Sequence, residues 1–198
     1  MSLRVITCVG EAVAPYVDDL ARLRIEVFRD YPYLYEGDRA YESTYLRAYA
    51  ASERSVFVLA LDGDNVVGAA TGIPLADDGE AFQKPFLDGG YDVNAVYYFG
   101  ESVLQRAYRG RGLGHRFFDE REAHAQRLGG FAMTAFCSVE RQAGDPRKPA
   151  DYRGNDAFWR RRGYQRQQSM FCTLKWTELG DQVQGEHRLR FWLRPLAA

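Results

Sequence analysis

Hydrophobic positions recur along the chain with two periods, one typical of helices and one typical of strands. Apolar residues at helical spacing, with charges between them, predict helices over 15–30, 39–51 and 113–128, and a shorter helix over 155–162. Runs rich in β-branched and aromatic residues predict strands over 3–8, 55–61, 66–73, 92–104, 131–139, 164–176 and 186–194. The prolines and glycines of 74–92 predict a loop.

The order of these elements indicates the fold class. Two helices follow the first strand, and the later strands and helices are interspersed as in a layered α/β (α+β) domain. The chain of 198 residues is long enough to bury one sizeable core, and no repeat, low-complexity tract or linker divides it. We therefore expect a single domain over 1–198.

Composition and charge narrow the function classes. The 26 Lys and Arg nearly balance the 27 Asp and Glu, for a net charge of −1, so no overall field attracts nucleic acid or an anionic membrane. The longest apolar run, 56–61, is far shorter than the roughly 20 residues that span a bilayer. The start of the chain lacks a signal-peptide pattern and the three cysteines are dispersed, so we expect a cytoplasmic protein. No histidine lies at metal-ligand spacing to a cysteine, and no metal site is predicted.

The clearest chemical signal is a loop of arginine and glycine between a predicted strand and a predicted helix. Its sequence over 109–114 is Arg-Gly-Arg-Gly-Leu-Gly, and it opens the helix 113–128. Glycines let backbone N–H groups approach a phosphate closely, and a helix N-terminus adds positive potential, so the loop has the character of a pyrophosphate site. It matches neither the G-x-G-x-x-G fingerprint nor a P-loop. The alternative interpretation is a surface turn that caps the helix.

The same loop resembles a family signature. Arg109-x-x-Gly112-x-Gly114 after a strand is similar to the (Gln/Arg)-x-x-Gly-x-(Gly/Ala) motif of the GNAT superfamily of N-acetyltransferases. The segment 157–164 resembles the short helix of that family, which ends in a glycine and an aromatic residue. The resemblance is specific over 97–164 and otherwise concerns the order of the elements. It implies a mixed, mostly antiparallel central sheet of about seven strands with helices on both faces, splayed between the predicted strands 92–104 and 131–139.

The resemblance also implies acetyl-CoA as the cosubstrate, bound in that splay. The loop would bind the pyrophosphate, and the pantetheine arm would pair with nearby backbone like an added strand. The cofactor-binding residues implied in this way are Val103, Leu104, Arg109, Gly110, Arg111, Gly112, Leu113, Gly114 and Asn155. Asn155 stands closer to the end of its helix than the usual asparagine of the family, and its alternative role is a helix N-cap. The adenosine 3′-phosphate would take Arg111, Arg116 or an arginine of 160–162.

The chemistry of the family implies direct transfer of an acetyl group to a primary amine within a ternary complex. Glu101, on the predicted strand that leads to the loop, is the candidate base, directly or through water; the alternative is a carboxylate that faces solvent or holds an arginine. The backbone N–H near Leu104 is the candidate donor to the developing oxyanion. Trp159 stands where relatives carry a tyrosine acid, and an indole N–H is not a useful acid. Tyr164 is therefore the candidate catalytic acid, with Tyr152 and solvent as alternatives.

Two segments bear on the acceptor. The connection 28–37 is rich in aromatic residues and resembles in position a wall of the acceptor cleft of GNAT proteins, although part of it suits the core equally well. The polar connector 140–154 is a candidate lid, and the alternative is a surface loop. Cys137 is expected to be a core thiol, because the sequence offers no base to activate it.

Three function classes follow. The leading one is an acetyl-CoA-dependent N-acetyltransferase that acts on a small-molecule or protein amine. The second is a module that binds acyl-CoA without turnover, as a sensor or partner protein. The third, a nucleic-acid binder, is the least favoured, although 141–166 holds eight Lys and Arg against three Asp, net +5. No membrane partner is expected, and the alternating strand 186–194 is a candidate for pairing in a homodimer.

Overall fold

The protein was analysed as a computed structural model, which describes residues 3–196. The strands are β1 (Leu3–Val9), β2 (Val56–Asp62), β3 (Asn65–Pro74), β4 (Val96–Tyr98), β5 (Ser102–Leu104), β6 (Met133–Val139), β7 (Gln165–Trp176) and β8 (Gly185–Pro195). The helices are α1 (Val17–Phe28), α2 (Arg39–Ala50), α3 (Glu80–Asp88), α4 (Leu113–Leu128) and α5 (Asp156–Arg161). Short 3₁₀ turns lie at Gly10–Tyr16, Leu75–Asp77, Val93–Ala95 and Arg106–Tyr108.

The strands join in one eight-stranded sheet. Its order is β1-β2-β3-β4-β6-β8-β7, and β5 also pairs with β3. The paired strands are antiparallel except β4 and β6, which run parallel. The mixed, mostly antiparallel sheet is thus confirmed. It has more strands than expected because the predicted strand 92–104 is divided into two.

The prediction of one continuous strand over 92–104 was wrong, because residues 99–101 break it between β4 and β5. β4 pairs with β6 as far as Tyr98, and the N–H of Phe99 still donates to the carbonyl of Ala135 (2.8 Å). The chain then turns to β3, where the N–H of Gly100 donates to the carbonyl of Thr71 (3.2 Å) and the ladder of β5 begins. A wedge therefore opens between β5 and β6, where the resemblance implied a splay.

Helix α3 occupies the middle of the segment 74–92, which was predicted to be a loop. Pro85 lies inside the helix and Gly79 precedes it, so the local sequence argued against a helix. Phe86 is fully buried and meets the ring of Phe191 edge to face at 5.1 Å. The burial of this aromatic side chain stabilises a short helix whose intrinsic propensity is poor.

Apolar side chains form a core on each face of the sheet. α1, α2 and α3 cover one face with residues such as Leu20, Leu46 and Phe86. α4 and α5 cover the other with residues such as Phe117 and Phe158. β2 and β3 are buried on both faces, which accounts for the continuous apolar run in β2. Helices on both faces of the sheet are confirmed.

Strand β8, which contains the segment suggested for pairing with a second copy, lies inside the sheet. β6 pairs with one of its edges and β7 with the other. Its backbone groups are therefore already used, and strand pairing of 186–194 with a second copy would require a ladder to break. The outer strands of the sheet are β1 and β7.

Candidate active site

A cavity of about 400 Å³ lies in the wedge between β5 and β6. Its lining includes Arg109 and Gly114 of the glycine-rich loop and also Glu101 at the strand break. The other walls come from the segment 30–33, from β6 and from the residues that lead into α5. The fold thus connects the candidate phosphate site to the candidate base through one cavity.

The loop 109–114 has the backbone conformation that a phosphate site needs. Gly110 and Gly112 have φ angles of 76° and 81°, in the left-handed region that glycine adopts most easily. Gly112 is the N-cap residue of α4 and has no side chain to cap the helix, so the first N–H groups of α4 are left for another acceptor. Gly114 lines the cavity, and Leu113 is buried in the core. A bound anion is therefore a natural acceptor for this end of the helix.

The arginines suggested for the adenosine 3′-phosphate differ in their availability. Those already paired with a carboxylate of the protein are Arg116, Arg160 and Arg162. Arg111 instead lies over the ring of Tyr108, at 5.2 Å from its centroid. In the described part of the chain, Arg111 and Arg161 have no carboxylate oxygen within 4.0 Å. These two arginines are the ones with an unused charge.

Only every second residue of β5 directs its backbone groups at the wedge, and this decides which of the predicted residues could pair with the pantetheine arm. The carbonyl of Glu101 accepts from the N–H of Thr71 (3.1 Å), and the N–H of Gln105 donates to β3 (3.0 Å). Because backbone groups alternate between the two edges of a strand, Val103 also faces β3, and Ser102 and Leu104 face the wedge. The backbone of Leu104 thus faces the wedge, as the predicted contact with the pantetheine arm requires. The backbone of Val103 faces β3 instead, so Ser102 and not Val103 is the second residue with backbone groups directed at the wedge.

Glu101 lies in the strand break and fits both interpretations of its position. Its side chain is 5% exposed, and the residue lines the cavity. Its Oε2 lies 2.5 Å from Nη1 of Arg24 on α1, and the same guanidinium pairs with Glu42 on α2. Burial alone would lower the pKa of Arg24, but nearby negative charge, above all that of Glu101, raises it well above its usual value. The carboxylate therefore holds an arginine and borders the cavity at the same time.

Tyr164, the predicted acid, is placed behind the cavity rather than in its wall. The residue is 1% exposed, and its hydroxyl donates to Glu122 (3.2 Å) and bonds to Thr134 Oγ1 (2.8 Å). Burial also raises the pKa of Tyr164. Tyr152 does line the cavity, as does Trp159 at the position where relatives carry a tyrosine. Among the candidate acids, the structure thus brings Tyr152 and not Tyr164 to the site.

Asn155 and Cys137 both border the cavity. Asn155 is the N-cap residue of α5, but its side chain makes no capping hydrogen bond, so the N-cap alternative has no support in its contacts. The thiol of Cys137 lies 3.0 Å from the hydroxyl of Tyr98, and burial raises its pKa well above the usual value. Such a thiol stays protonated and is not a ready nucleophile, in agreement with the expected core thiol.

The segment 28–37 and the connector 140–154 are joined over the cavity. Arg141 of the connector donates to two backbone carbonyl oxygens of the first segment, at 2.5 and 2.9 Å. Tyr31 and Tyr152, one from each segment, meet edge to face with their centroids 4.7 Å apart. Both segments contribute to the lining of the cavity. The end of the connector, residues 152–154, therefore forms part of the cavity wall.

The arginine-rich segment 141–166 is less positive in the fold than in the sequence. Its ion pairs with carboxylates outside the segment are those of Arg141 and Arg147 with Glu178, of Arg162 with Asp119 and Glu122, and of Arg166 with Glu140. The main support for the nucleic-acid interpretation is thereby weakened. Within residues 3–196, no helix is long and apolar enough to cross a membrane. In the same part of the chain, no group of three or more His, Cys, Asp or Glu side chains is arranged to hold a metal ion.

Two buried arginines at the site escaped the sequence analysis. Arg24 pairs with Glu101 from α1, and Arg121 of α4 is 1% exposed and lines the cavity. A signal for Arg121 was present in the pattern of α4. It stands four residues after Phe117 and four before Ala125, on the stripe that faces the core. An arginine on the buried side of a helix needs hydrogen-bond acceptors or a counter-charge, and the sequence did not show which residues would provide them.

Comparison with known proteins agrees with this architecture. The family model described as the Acetyltransferase (GNAT) family matches residues 19–145. The chain belongs to the GNAT acetyltransferase family. Proteins of this family use acetyl-CoA. An open strand edge and, after it, a left-handed glycine loop at a helix N-terminus fit a ligand that carries phosphates on an extended arm.

Solved structures of other GNAT proteins share the fold over nearly their whole length. An N-acetyltransferase from Staphylococcus aureus Mu50 is 11% identical, with a TM-score of 0.61, and 100% of each chain is covered. The protein yncA of Salmonella typhimurium, solved with its cofactor acetyl-CoA, is 10% identical, with a TM-score of 0.61 over 100% of this chain and 96% of that one. A ribosomal-protein-alanine N-acetyltransferase from Brucella melitensis is 16% identical, with a TM-score of 0.58 over 99% and 100%. At these identities the likeness concerns the fold and not the substrate. No match was found among curated proteins.

Proposed function

We propose that this GNAT protein transfers an acetyl group from acetyl-CoA to a primary amine, by direct transfer in a ternary complex. The observation that carries the proposal is the cavity that connects the loop 109–114 to the carboxylate of Glu101. It joins a phosphate site to a group that can receive a proton, and an acyl transfer to an amine needs both. The acceptor class is a small-molecule or protein amine.

Backbone groups do most of the binding in this proposal. The loop 109–114 and the first turn of α4 hold the pyrophosphate, and the outward-facing backbone groups of Ser102 pair with the pantetheine arm. The carbonyl of Leu104 already accepts from Nε of Arg109 (3.1 Å), so Leu104 binds through its N–H, at the thioester end of the arm. Arg111 offers an unpaired charge to the 3′-phosphate, and Asn155 contributes from the opposite wall. When bound, acetyl-CoA supplies an activated acetyl carbon. The protein needs to position it and to manage the proton and the charge.

The residues at the strand break carry the chemistry. Glu101 accepts the proton of the amine through a water molecule as the nitrogen–carbon bond forms and the carbon–sulfur bond breaks. The electron pair of the broken bond goes to the sulfur. The N–H of Leu104, which faces the wedge, donates to the carbonyl oxygen while that oxygen carries negative charge. Tyr152, in the cavity wall, or solvent returns a proton to the sulfur.

Thermal unfolding with and without acetyl-CoA tests the binding site. A ligand at about 100 times its Kd stabilises by roughly 2.7 kcal/mol, or about 5–11 °C for a chain of this size. Gly112→Asp should abolish the shift, because it places a negative charge and a strained φ in the loop. Gly180→Asp is the matched control. Its φ is 90°, and an added Cβ at either glycine meets nothing within 4 Å.

The activity itself is tested by the release of free CoA thiol across a panel of amines. Release with at least one amine, lost in Gly112→Asp and kept in Gly180→Asp, is the expected result. The absence of an acetyl-CoA shift in the unaltered protein, or an equal shift in Gly112→Asp, would contradict the proposed site.

A second candidate is a module that binds acyl-CoA without turnover. It is favoured by Trp159 in the cavity wall and by the burial of Tyr164, since neither offers an acid to the sulfur. Binding of acetyl-CoA with no thiol release from any amine would select this candidate.

Three broader expectations belong to the proposal. They are a cytoplasmic setting, a single domain over 1–198 and the absence of nucleic acid and membrane among the partners. The oligomeric state is a further question, because β8 is not available for pairing. Sedimentation equilibrium measures it directly.

A further inference from the structure

Arg121 is a buried arginine whose hydrogen-bond acceptors are all neutral. Its side chain donates to the backbone carbonyl oxygens of Thr71 (3.1 Å), Glu101 (3.1 Å) and Phe117 (3.0 Å) and to Oγ of Ser102 (2.9 Å). These acceptors are dipoles, and none carries a full negative charge. The guanidinium is therefore well hydrogen-bonded but not neutralised.

Aromatic rings complete the environment of Arg121. Its Cζ lies 4.1 Å from the centroid of Phe99 and 4.9 Å from that of Phe118. No carboxylate oxygen lies within 4.0 Å of its nitrogens in the described part of the chain, unlike Arg24, which has two carboxylate partners. A buried cation without a counter-charge is costly, so a structure that keeps one usually has a use for it.

The guanidinium remains charged at neutral pH. Burial lowers the pKa of Arg121 to about 10, which is still well above the pH of the cell. Its hydrogen bonds and the two ring faces stabilise the charged form. A positive charge is therefore present beside the cavity. Among the described residues, the carboxylates of Glu122 and Glu101 act on it only from beyond 4.0 Å.

The position of this charge along the cavity is informative. Arg121 is eight residues, or roughly 12 Å of helix, beyond the start of α4, where the phosphate loop lies. It meets the strand break from the face covered by α4, whereas Arg24 meets Glu101 from the face covered by α1. The charge of Arg121 thus lies at the end of the cavity that contains Glu101, where the amine would bind, and not at the end that would bind the phosphates.

We infer that Arg121 stabilises the negative charge that collects on the sulfur of CoA when the carbon–sulfur bond breaks. The electron pair of that bond goes to the sulfur, and the proton lost by the amine goes to the water held at Glu101. A cation beside the sulfur stabilises the thiolate before a proton returns to it. This inference rests on the proposed function. The charge of Arg121 would stabilise the leaving thiolate, which Trp159 cannot protonate because its indole N–H is not a useful acid.

The ionisation of bound CoA tests the inference without any turnover. An opposite charge within about 4–6 Å typically lowers a pKa by 1–3 units. The thiol of CoA bound to the protein should therefore have a pKa about one unit or more below that of free CoA in the same buffer. The thiolate is followed by its ultraviolet absorbance over a pH series. The complex with desulfo-CoA, titrated in parallel, removes the contribution of the tyrosines.

Two variants separate charge from structure. Arg121→Lys keeps the charge and should keep most of the lowering of the thiol pKa, whereas Arg121→Met should lose it and lower kcat more than it changes KM for acetyl-CoA. Arg127→Met, an exposed position on the same helix, is the control. If Arg121→Met does not fold, Arg121→Gln takes its place. Calorimetry confirms that each variant is saturated with CoA.

The outcomes are distinct. A lowered thiol pKa that survives in Arg121→Lys and disappears in the uncharged variant supports the inference. A bound thiol with the same pKa as free CoA in the unaltered protein overturns it, and so does an uncharged variant that keeps the lowered value. If both uncharged variants fail to fold, the thiol pKa of CoA bound to the unaltered protein and to Arg121→Lys is compared with that of free CoA. A lowered value in both supports the inference, and a value equal to that of free CoA overturns it. Failure to bind CoA at all contradicts the proposed function instead.

Discussion

The carboxyl group of Asp78 should make the protein less stable as the pH rises. The side chain is half-buried, and its Oδ1 accepts the N–H of Gly79 (2.7 Å). Its Oδ2 is buried and has no hydrogen-bond partner among the described residues. Burial raises the pKa of Asp78 to about 6. The hydrogen bond from the N–H of Gly79 opposes this increase, and the negative charge of Glu101 adds a smaller one.

The size and sign of the effect follow from the two end states. An aspartate in the unfolded chain has a pKa of about 3.9, so the folded protein binds more protons between this value and its own. The free energy of unfolding therefore falls as the pH rises through the folded pKa. The loss due to Asp78 is about 1.3 kcal/mol between about pH 5 and pH 7, and about 3 kcal/mol in total once the group is ionised in both states.

Urea unfolding over this pH range measures the effect. In Asp78→Asn the slope due to this group should be absent, so the difference in unfolding free energy between the variant and the unaltered protein should change by about 1.3 kcal/mol from about pH 5 to pH 7. The absolute stability of the variant is not the test, because one amide atom would stand without a partner in the position that Oδ2 of Asp78 occupies. Asp181→Asn, at an exposed position, should retain the slope. Parallel pH profiles for Asp78→Asn and the unaltered protein would refute the reasoning.

Two further predictions concern the site. Glu101→Gln should lower kcat/KM for the amine by about 10²–10⁴, because the proton acceptor is lost. The Kd for acetyl-CoA should stay within about twofold, because Arg24 keeps Glu42 as a partner and the loop 109–114 is unchanged. Thiol release and calorimetry measure the two quantities, and an undiminished rate would remove Glu101 as the base. Tyr152→Phe should lower kcat. Tyr164→Phe should leave kcat unchanged but lower the free energy of unfolding by about 1–3 kcal/mol, because Thr134 and Glu122 lose a buried partner. The reverse pattern would place the acid at Tyr164.

Elements with local signals could be predicted from the sequence. Helix α4 has the predicted bounds because Gly112 and Gly129 stand at its two ends with φ angles of 81° and 71°. β2 and β3 form the predicted hairpin, because two β-branched runs flank a turn-prone connector. The loop before α4 could be interpreted for the same reason, since its glycines and the helix N-terminus are adjacent in sequence.

Features that depend on distant residues could not be predicted. The break between β4 and β5 depends on Thr71 of β3. Its carbonyl oxygen accepts the N–H of Gly100, and its Oγ1 accepts the N–H of Glu101 (3.2 Å). Tyr164 turns away from the cavity because Thr134, 30 positions earlier, offers its hydroxyl a buried partner. Neither contact leaves a trace in the local pattern. The pairing of β8 on both edges is likewise a property of the whole sheet.

The two buried arginines give the strand break a polarity that suits the proposed reaction. Arg24 reaches Glu101 through its side chain from the face of α1, and Arg121 reaches the same residue through its backbone carbonyl from the face of α4. An apolar residue in place of Arg24 would leave the buried carboxylates of Glu101 and Glu42 without their cation. One in place of Arg121 would remove the second hydrogen bond of the carbonyl oxygens of Thr71 and Glu101, each of which keeps one backbone donor. The arginines thus fix the break, but they do so unequally: Arg24 is balanced by two carboxylates and Arg121 by none nearby in the described residues. One side of the cavity can therefore take up the proton of an amine, while the other offers a free positive charge to a leaving thiolate.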